Sequence, residues 1–370
     1  FYASKAFLTK EMARIIKSED IGMDVVSGGE LFTALSVGFP GENIIFHGNN
    51  KSIEELEMAI ENNVGRIIVD HLEEIDLIEF IAKDQKKKVK ILFRISPGIN
   101  IETHKYIQTG QVDSKFGIPL GEKSINQAMD KALNSKYVEL MGFHFHIGSQ
   151  LLNPKNHLEG IGVLIGLIKK VKDQYNFITK ELNTGGGYGI YYTEEDERRP
   201  LKYFIDPIME EIIKECEKHN LERPLIMIEP GRWIVGEAGM TVYTIGAIKE
   251  IPGVRTYVSI DGGMPDNPRP SLYEAKYKGA ILNRINEEVS EVVTIAGKCC
   301  ETGDILIWDL KTPKIKKGDI LGVFSTGAYN YSMASNYNKL PKPAVIMIRD
   351  GKERVIVKRE SYEDILKNEI

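Results

Sequence analysis

Three cysteines in 370 residues, Cys216, Cys299 and Cys300, are too few and too poorly spaced for a disulfide framework. An odd count with an adjacent pair implies free thiols and a reducing, cytoplasmic setting. Long apolar runs are also missing. The longest, Ile161–Ile168, reads IGVLIGLI, far short of the roughly 20 residues that span a bilayer. No secretory signal or membrane segment is legible. Clustered basic charge is scarce too: the net charge is −5 and the one run is Lys86–Lys88, which suits a solvated loop after a helix. This balance argues against nucleic acid or another polyanion as partner. An initiator methionine is absent, and Phe1 opens inside a β-rich run, so a further segment is expected upstream. What is present, 42% hydrophobic and 27% charged residues, describes a globular chain long enough for two domains.

From residue 1 to about 231, β-rich runs alternate with amphipathic helical stretches. The strand candidates are Phe1–Ser4, Met23–Val26, Ile44–His47, Arg66–Asp70, Val89–Ile95, Glu139–Ile147, Thr179–Asn183 and Leu225–Glu229. Helical stretches such as Ser52–Asn63, Leu72–Gln85 and Pro200–His219 lie between them. Ser52 followed three residues later by Glu55 reads as a capping box. Strands separated by helices pair in parallel through crossovers, and eight of them predict a closed (β/α)8 TIM-like barrel, an α/β fold. Only seven helices fall between the eight strands, which places the eighth before Phe1.

After Gly239 the helical period fades. Runs at Met240–Ile248, Thr256–Ile260, Glu291–Ala296, Asp304–Trp308, Ile320–Phe324 and Ala344–Arg349 predict an all-β second domain, sandwich or barrel. The expected division is a barrel over 1–237 and a C-terminal β domain over 238–370. The loop Pro97–Pro119 is long for a βα connection and sits where barrels keep function.

Polar oddities recur at the C-terminal ends of the barrel strands, where such folds do their chemistry. Lys5 ends the first strand, Ser27-Gly-Gly-Glu30 the second and His47-Gly-Asn-Asn50 the third. Arg94 lies in the fifth, His144-Phe-His-Ile-Gly-Ser149 ends the sixth, Gly185-Gly-Gly187 the seventh and Glu229-Pro-Gly-Arg232 the eighth. Glycine turns after the last two strands let backbone N–H groups approach a phosphate. Lys5 alone would be a surface lysine; opposite a phosphate loop it is a Schiff-base candidate. Glu229 is either an ion-pair partner or a carboxylate aimed at a pyridine nitrogen, and His146 either packs in the core or stacks on a ring.

Taken together, Phe-Tyr-Ala-Ser-Lys5-Ala, HFHIGSQ (144–150), GGGYGI (185–190) and EPGRWIV (229–235) resemble the motifs of the fold-type III decarboxylases of basic amino acids. The resemblance covers essentially the whole chain, in order. It implies pyridoxal 5'-phosphate as cofactor, joined to Lys5, with His146 stacked on it. It also implies Ser149, Gly186, Gly187, Gly231 and Arg232 around the phosphate and Glu229 on the pyridine nitrogen.

The second half is similar to the diaminopimelate decarboxylases within that family, through Arg269-Pro-Ser-Leu-Tyr273, Cys299-Cys-Glu-Thr-Gly-Asp304 and the Gly327–Ser335 segment GAYNYSMAS. The implied reaction is decarboxylation of meso-2,6-diaminopimelate to L-lysine and CO2. That substrate has a second amino-acid end. Arg232 and Arg269 suit its carboxylate, with Tyr273 adding a hydrogen bond, and Glu301 suits its amine. The family pattern makes Cys300 the proton donor after CO2 leaves and puts Tyr329 against the cofactor. It also brings Cys300 and Glu301 from a partner subunit, which implies a homodimer with shared active sites.

Rival readings are a relative acting on carboxynorspermidine, ornithine or arginine, a racemase on the same barrel, and a metal-dependent hydrolase built on His144 and His146. A racemase requires a second base, commonly tyrosine. The metal reading relies on i and i+2 sharing a strand face, with the other histidines (47, 71, 104, 157 and 219) scattered and no set of acids to complete the site.

Overall fold

The computed structural model describes residues 1–99 and 113–370. The chain divides into two compact units, Phe1–Gly189 with Arg198–Trp233, and Ile190–Glu197 with Ile234–Ile370. The expected boundary at 237/238 lies four residues beyond Trp233, and the short stretch Ile190–Glu197 is counted with the second unit.

The first unit is a barrel. Its strands are β1 (Tyr2–Ala3), β2 (Met23–Val25), β3 (Ile44–Phe46), β4 (Arg66–Val69), β5 (Val89–Ser96), β6 (Ile118–Pro119), β7 (Val138–His144), β8 (Glu181–Asn183) and β9 (Leu225–Met227). Apart from β6, a two-residue strand added beside the end of β5, they pair in parallel in the order β1-β2-β3-β4-β5-β7-β8-β9. Backbone bonds from Phe1 N to Ile228 O (2.9 Å) and from Ala3 N to Pro230 O (3.2 Å) join the first strand to the end of the last. All eight expected strands are present. The helices between them are α1 (Lys10–Ser18), α2 (Gly28–Leu35), α3 (Ile53–Glu61), α4 (Leu72–Asp84), α5 (Glu122–Asn134), α6 (Lys155–Tyr175) and α7 (Leu201–Lys218). A parallel sheet has apolar residues on both faces, so helices packed on the outside and side chains inside the barrel keep it from water.

Local signals behave as their chemistry requires. Ser52 and Glu55 form the reciprocal capping box at the start of α3. Inside the barrel, Ile45, Ile68, Leu92, Met141 and Met227, one from each of five strands, make a single buried cluster. At about 1.5–3 kcal/mol per buried aliphatic side chain, it is a substantial part of the core. Strand β7 carries a bulge: Ile91 pairs with Leu140, but Leu92 pairs with Gly142. The extra residue resets the two-residue alternation, so Met141 joins the inner cluster while His144, three positions on, also turns inward. Gly142 allows it, since a Cβ there would lie 1.9 Å from Glu181 O.

The second unit holds a six-stranded sheet in the order β12-β15-β10-β11-β13-β14. Its strands are β10 (Thr241–Ile251), β11 (Arg255–Ile260), β12 (Gly279–Ile281), β13 (Glu291–Ala296), β14 (Ile305–Thr312) and β15 (Ile320–Val323), and a separate hairpin pairs β16 (Val345–Arg349) with β17 (Lys352–Val357). Sequence periodicity overlooks β12, which is too short to show an alternation, and β17, whose Lys, Glu and Arg mask one. Pairing is antiparallel except between β11 and β13. No helix among the described residues is long and apolar enough to cross a membrane.

Candidate active site

The mouth of the barrel is organised around Glu229, which follows β9 and is buried. His47 Nε2 lies 2.7 Å from its Oε1 and His144 Nε2 lies 3.1 Å from its Oε2. Asn183 Nδ2 donates to Oε1 at 2.6 Å. Burial alone opposes ionisation, but the imidazoles of His47 and His144 outweigh it and hold the Glu229 carboxyl well below the usual range. Burial brings His144 down to about 4, so it is neutral near pH 7 and donates its single N–H, on Nε2, to Glu229. Its Nδ1 is buried with no partner among the described residues. The result is a carboxylate anion fixed by three N–H donors in a dry pocket.

Around it stand further groups, of which the sequence singled out only Arg94. Asp24, the middle residue of β2, has an oxygen 3.8 Å from His47 Nε2, and burial pushes its carboxyl up to about 6. Two residues before Asn183, Glu181 accepts a two-pronged bond from Arg66, with Nε to Oε2 at 2.6 Å. The alternation of β8 therefore directs one polar residue to the barrel floor and the next to its mouth. Arg94 is buried with its guanidinium 3.8 Å from Asp70 and stacked 4.3 Å over Phe116. Lys51 is buried as well, donating to Gly48 O, Ile68 O and Glu74 Oε1. Signals for Asp24, Glu181 and Arg94 existed in the sequence as polar residues inside apolar strands; Lys51, in the loop between β3 and α3, had none.

The sequence motifs resolve unequally. Ser27-Gly-Gly-Glu30 is largely the start of α2: Ser27 Oγ accepts from Glu30 N, and Glu30 Oε2 accepts from Val26 N. His144 and His146 do not share a face, because β7 ends at His144. His144 reaches Glu229, whereas His146 Nδ1 accepts from Gly186 N at 3.3 Å. His47 is not scattered but joins His144 and Glu229, whose ligand-type atoms lie within 4.8 Å of one another. Lys5 is exposed, near enough for its charge to act on Asp24, Glu30 and His146. Burial, then the charges of Lys5 and Arg94, keep His146 well below its ordinary range and therefore neutral. Of the Pro97–Pro119 loop, residues 100–112, including His104, lie outside the described residues.

The glycine turn packs too closely against neighbouring backbone to carry side chains. A Cβ on Gly185 would lie 2.5 Å from Phe145 O, on Gly186 2.1 Å from Glu229 O and on Gly187 2.2 Å from Gly148 O. Gly185 and Gly187 also hold φ of +70° and +100°, which favour glycine. Gly185 N donates to Asn183 Oδ1, and Gly186 N is taken by His146. No acceptor meets the Gly187 N–H among the described residues. Gly231 packs against Ala3 and Ala6, and Arg232 Nη2 donates to Ser149 Oγ at 2.8 Å. A phosphate fits such donors, and a ring with a basic nitrogen fits a dry anion such as Glu229.

In the second unit, Arg269 opens the short helix Arg269–Tyr273 and is buried. Its Nη1 donates to Tyr277 OH at 2.5 Å and Tyr192 OH at 3.1 Å. No carboxylate pairs with it among the described residues, so a buried cation is left to neutral phenols, an arrangement that favours an incoming anion. Tyr273 is half-buried. Cys300 and Glu301 are exposed, Cys300 N donating to Asn338 Oδ1 and Glu301 Oε1 accepting from Gly303 N. Burial and the Asp304 carboxylate push the Cys299 thiol up to about 12, which leaves it a poor acid. Asp304, the last residue of the Cys299–Asp304 motif, accepts from Met264 N and Cys299 N and so ties this turn down. Tyr329 is half-buried with φ of +65°.

Comparison with known proteins agrees with this geometry. The family described as pyridoxal-dependent decarboxylase, pyridoxal binding domain, matches residues 1–236. The chain is 49% identical to the diaminopimelate decarboxylase of Bacillus subtilis (strain 168) over 366 residues, 99% of this chain and 83% of that one. Against the enzyme of that name from Staphylococcus aureus (strain COL) the identity is 47%, over 100% of this chain and 86% of the other. Among solved structures, diaminopimelate decarboxylase from M. jannaschii in complex with L-lysine superimposes with a TM-score of 0.93 at 35% identity, covering 100% of this chain and 84% of that one. This chain belongs to the pyridoxal-dependent decarboxylases and, within them, to the diaminopimelate decarboxylases.

Proposed function

We propose that this chain catalyses the pyridoxal 5'-phosphate-dependent decarboxylation of meso-2,6-diaminopimelate to L-lysine and CO2, the step that completes lysine synthesis. The observation that carries the reading is the buried, ionised Glu229, locked by His47, His144 and Asn183 beside a glycine turn that no side chain could occupy. Lys5 would hold pyridoxal phosphate, which when bound would supply an electron sink. Glu229 holds the proton on the ring nitrogen, and neutral His146 offers a flat face to the ring. The Gly187 N–H, Gly231, Ser149 and Arg232 hold the phosphate.

In the β domain (238–370), Arg269 and Tyr273 take the distal carboxylate of the substrate, Arg232 assisting from the barrel domain (1–237), and Glu301 takes the distal amine. Tyr329 lies against the cofactor. Cys300 returns a proton to the carbon that lost CO2; the elevated thiol of Cys299 supports Cys300 over its neighbour. The working form is a cytoplasmic homodimer in which Cys300 and Glu301 serve the barrel of the other subunit. L-Lysine, the product, is held by the similar structures from M. jannaschii and Helicobacter pylori.

The test is a decarboxylation assay on the three diaminopimelate stereoisomers, lysine, ornithine and arginine. CO2 release from the meso isomer is expected, in a yellow protein that borohydride bleaches. A colourless protein, or one that prefers ornithine, overturns the reading.

A further inference from the structure

The glycine turn is also held from α6. His157, the third residue of α6, is fully buried and stacks on Tyr188 with ring centroids 5.2 Å apart and planes 13° apart. Its Nε2 lies 3.0 Å from Gly186 O. A carbonyl only accepts, so Nε2 carries the proton. The other ring nitrogen, Nδ1, is buried with no partner among the described residues, and burial brings the group down to about 4. His157 is therefore a neutral, single-proton donor near pH 7.

The Gly186 carbonyl and the Gly187 N–H belong to one planar trans peptide and point in opposite directions. Anchoring the carbonyl on α6 aims the N–H the other way. On the preceding peptide, His146 takes the Gly186 N–H, so two imidazoles grip this glycine, one from each side. The turn has little other freedom, since Gly187 O accepts from Leu151 N at 2.9 Å and the space around Gly187 is closed by Gly148 O.

We infer that His157 is a positioning residue for the cofactor phosphate, acting through Gly186 to direct the Gly187 N–H at it. The inference rests on the cofactor reading above and adds a residue that itself touches neither cofactor nor substrate. It explains a polar ring buried where an apolar one would pack as well: only a ring N–H meets the carbonyl.

The experiment strips holoenzyme of cofactor and returns pyridoxal phosphate by titration, following absorbance and the phosphorus resonance of the bound cofactor. His157→Phe keeps the stack on Tyr188 but removes the N–H. Loss of one such bond is expected to weaken cofactor binding about three- to tenfold and to move the phosphorus resonance. His157→Gln, whose amide N–H takes the place of Nε2, is expected to restore both. Should the Phe variant fail to fold, Met against Gln makes the same comparison. Equal affinity and an unmoved resonance in a Phe or Met variant, with only a lower melting temperature, overturn the inference, as does a Gln variant no better than Phe. Wild-type protein that takes up no pyridoxal phosphate overturns the cofactor reading and this inference with it.

Discussion

His47 and Glu229 stand 182 positions apart in the chain and 2.7 Å apart in space. The contact spans the barrel mouth from the end of β3 to the end of β9, and it exists only because the sheet closes. With His144 and Asn183 it keeps Glu229 anionic in a place where burial alone would protonate it. Replacing the carboxylate is therefore a direct test of the site. Glu229→Gln keeps the shape but removes the charge, and is expected to lower kcat by about ten- to a hundredfold, the worth of a charge-assisted contact in a dry site. Steady-state kinetics on meso-diaminopimelate check it; an unchanged kcat would remove Glu229 from the mechanism.

Lys5→Ala is expected to abolish turnover and the borohydride-stable pyridoxyl label while leaving the fold intact. Peptide mapping after reduction decides the point. A label of undiminished yield on another lysine would falsify the assignment.

Substrate choice is expected to turn on Glu301. Glu301→Ala should cut kcat/KM for meso-diaminopimelate by roughly ten- to a hundredfold while sparing any activity on ornithine. Equal losses on both substrates would mean a disturbed site and not a lost contact.

A shared site predicts complementation. Mixing inactive Lys5→Ala protein with inactive Cys300→Ala protein lets about half of the dimers become mixed, and each mixed dimer has one intact site, so recovery approaches roughly a quarter of normal. Subunits that exchange without recovering activity would place Cys300 in its own chain's site.

Acid sensitivity follows from the buried imidazoles. His144 and His157 drop from 6.5 to about 4 on folding, so between those values the unfolded chain binds more protons. Stability is then complete above pH 6.5 and lost as pH falls towards 4, by up to about 3 kcal/mol for each ring. Asp24, raised from 3.8 to about 6, works the other way across that lower window and offsets about one of the two. Depression of His146 adds to the loss. Melting temperature is expected to fall between pH 6.5 and 4, with a smaller slope in His157→Gln; a flat profile would mean that these rings are not buried neutral.

The barrel was legible along the chain because alternation of β-rich and amphipathic runs is a local property, written within ten or twenty residues. The capping box at Ser52 and the glycines of residues 185–187 are local in the same sense: backbone conformation and close approach admit few residue types. Lys5, His146, Glu229 and Arg232 stood out as polar residues at strand ends. The three-residue β12 and the charge-bearing β17 carried no such pattern.

What the chain could not disclose by itself was partnership. That His144 and His146 part company depends on where β7 leaves the ladder, and that Met141 and His144 both turn inward depends on a bulge set by its neighbour β5. Asp24, Asn183 and His157 are unremarked polar residues until folding brings His47 beside Asp24, Glu229 beside Asn183 and α6 against the glycine turn. Hydrogen bonds act over about 3 Å, whereas their partners here lie tens to hundreds of residues apart. Local sequence therefore determined which elements form and which chemical groups stand at their ends, and only the closed barrel decided which of those groups meet.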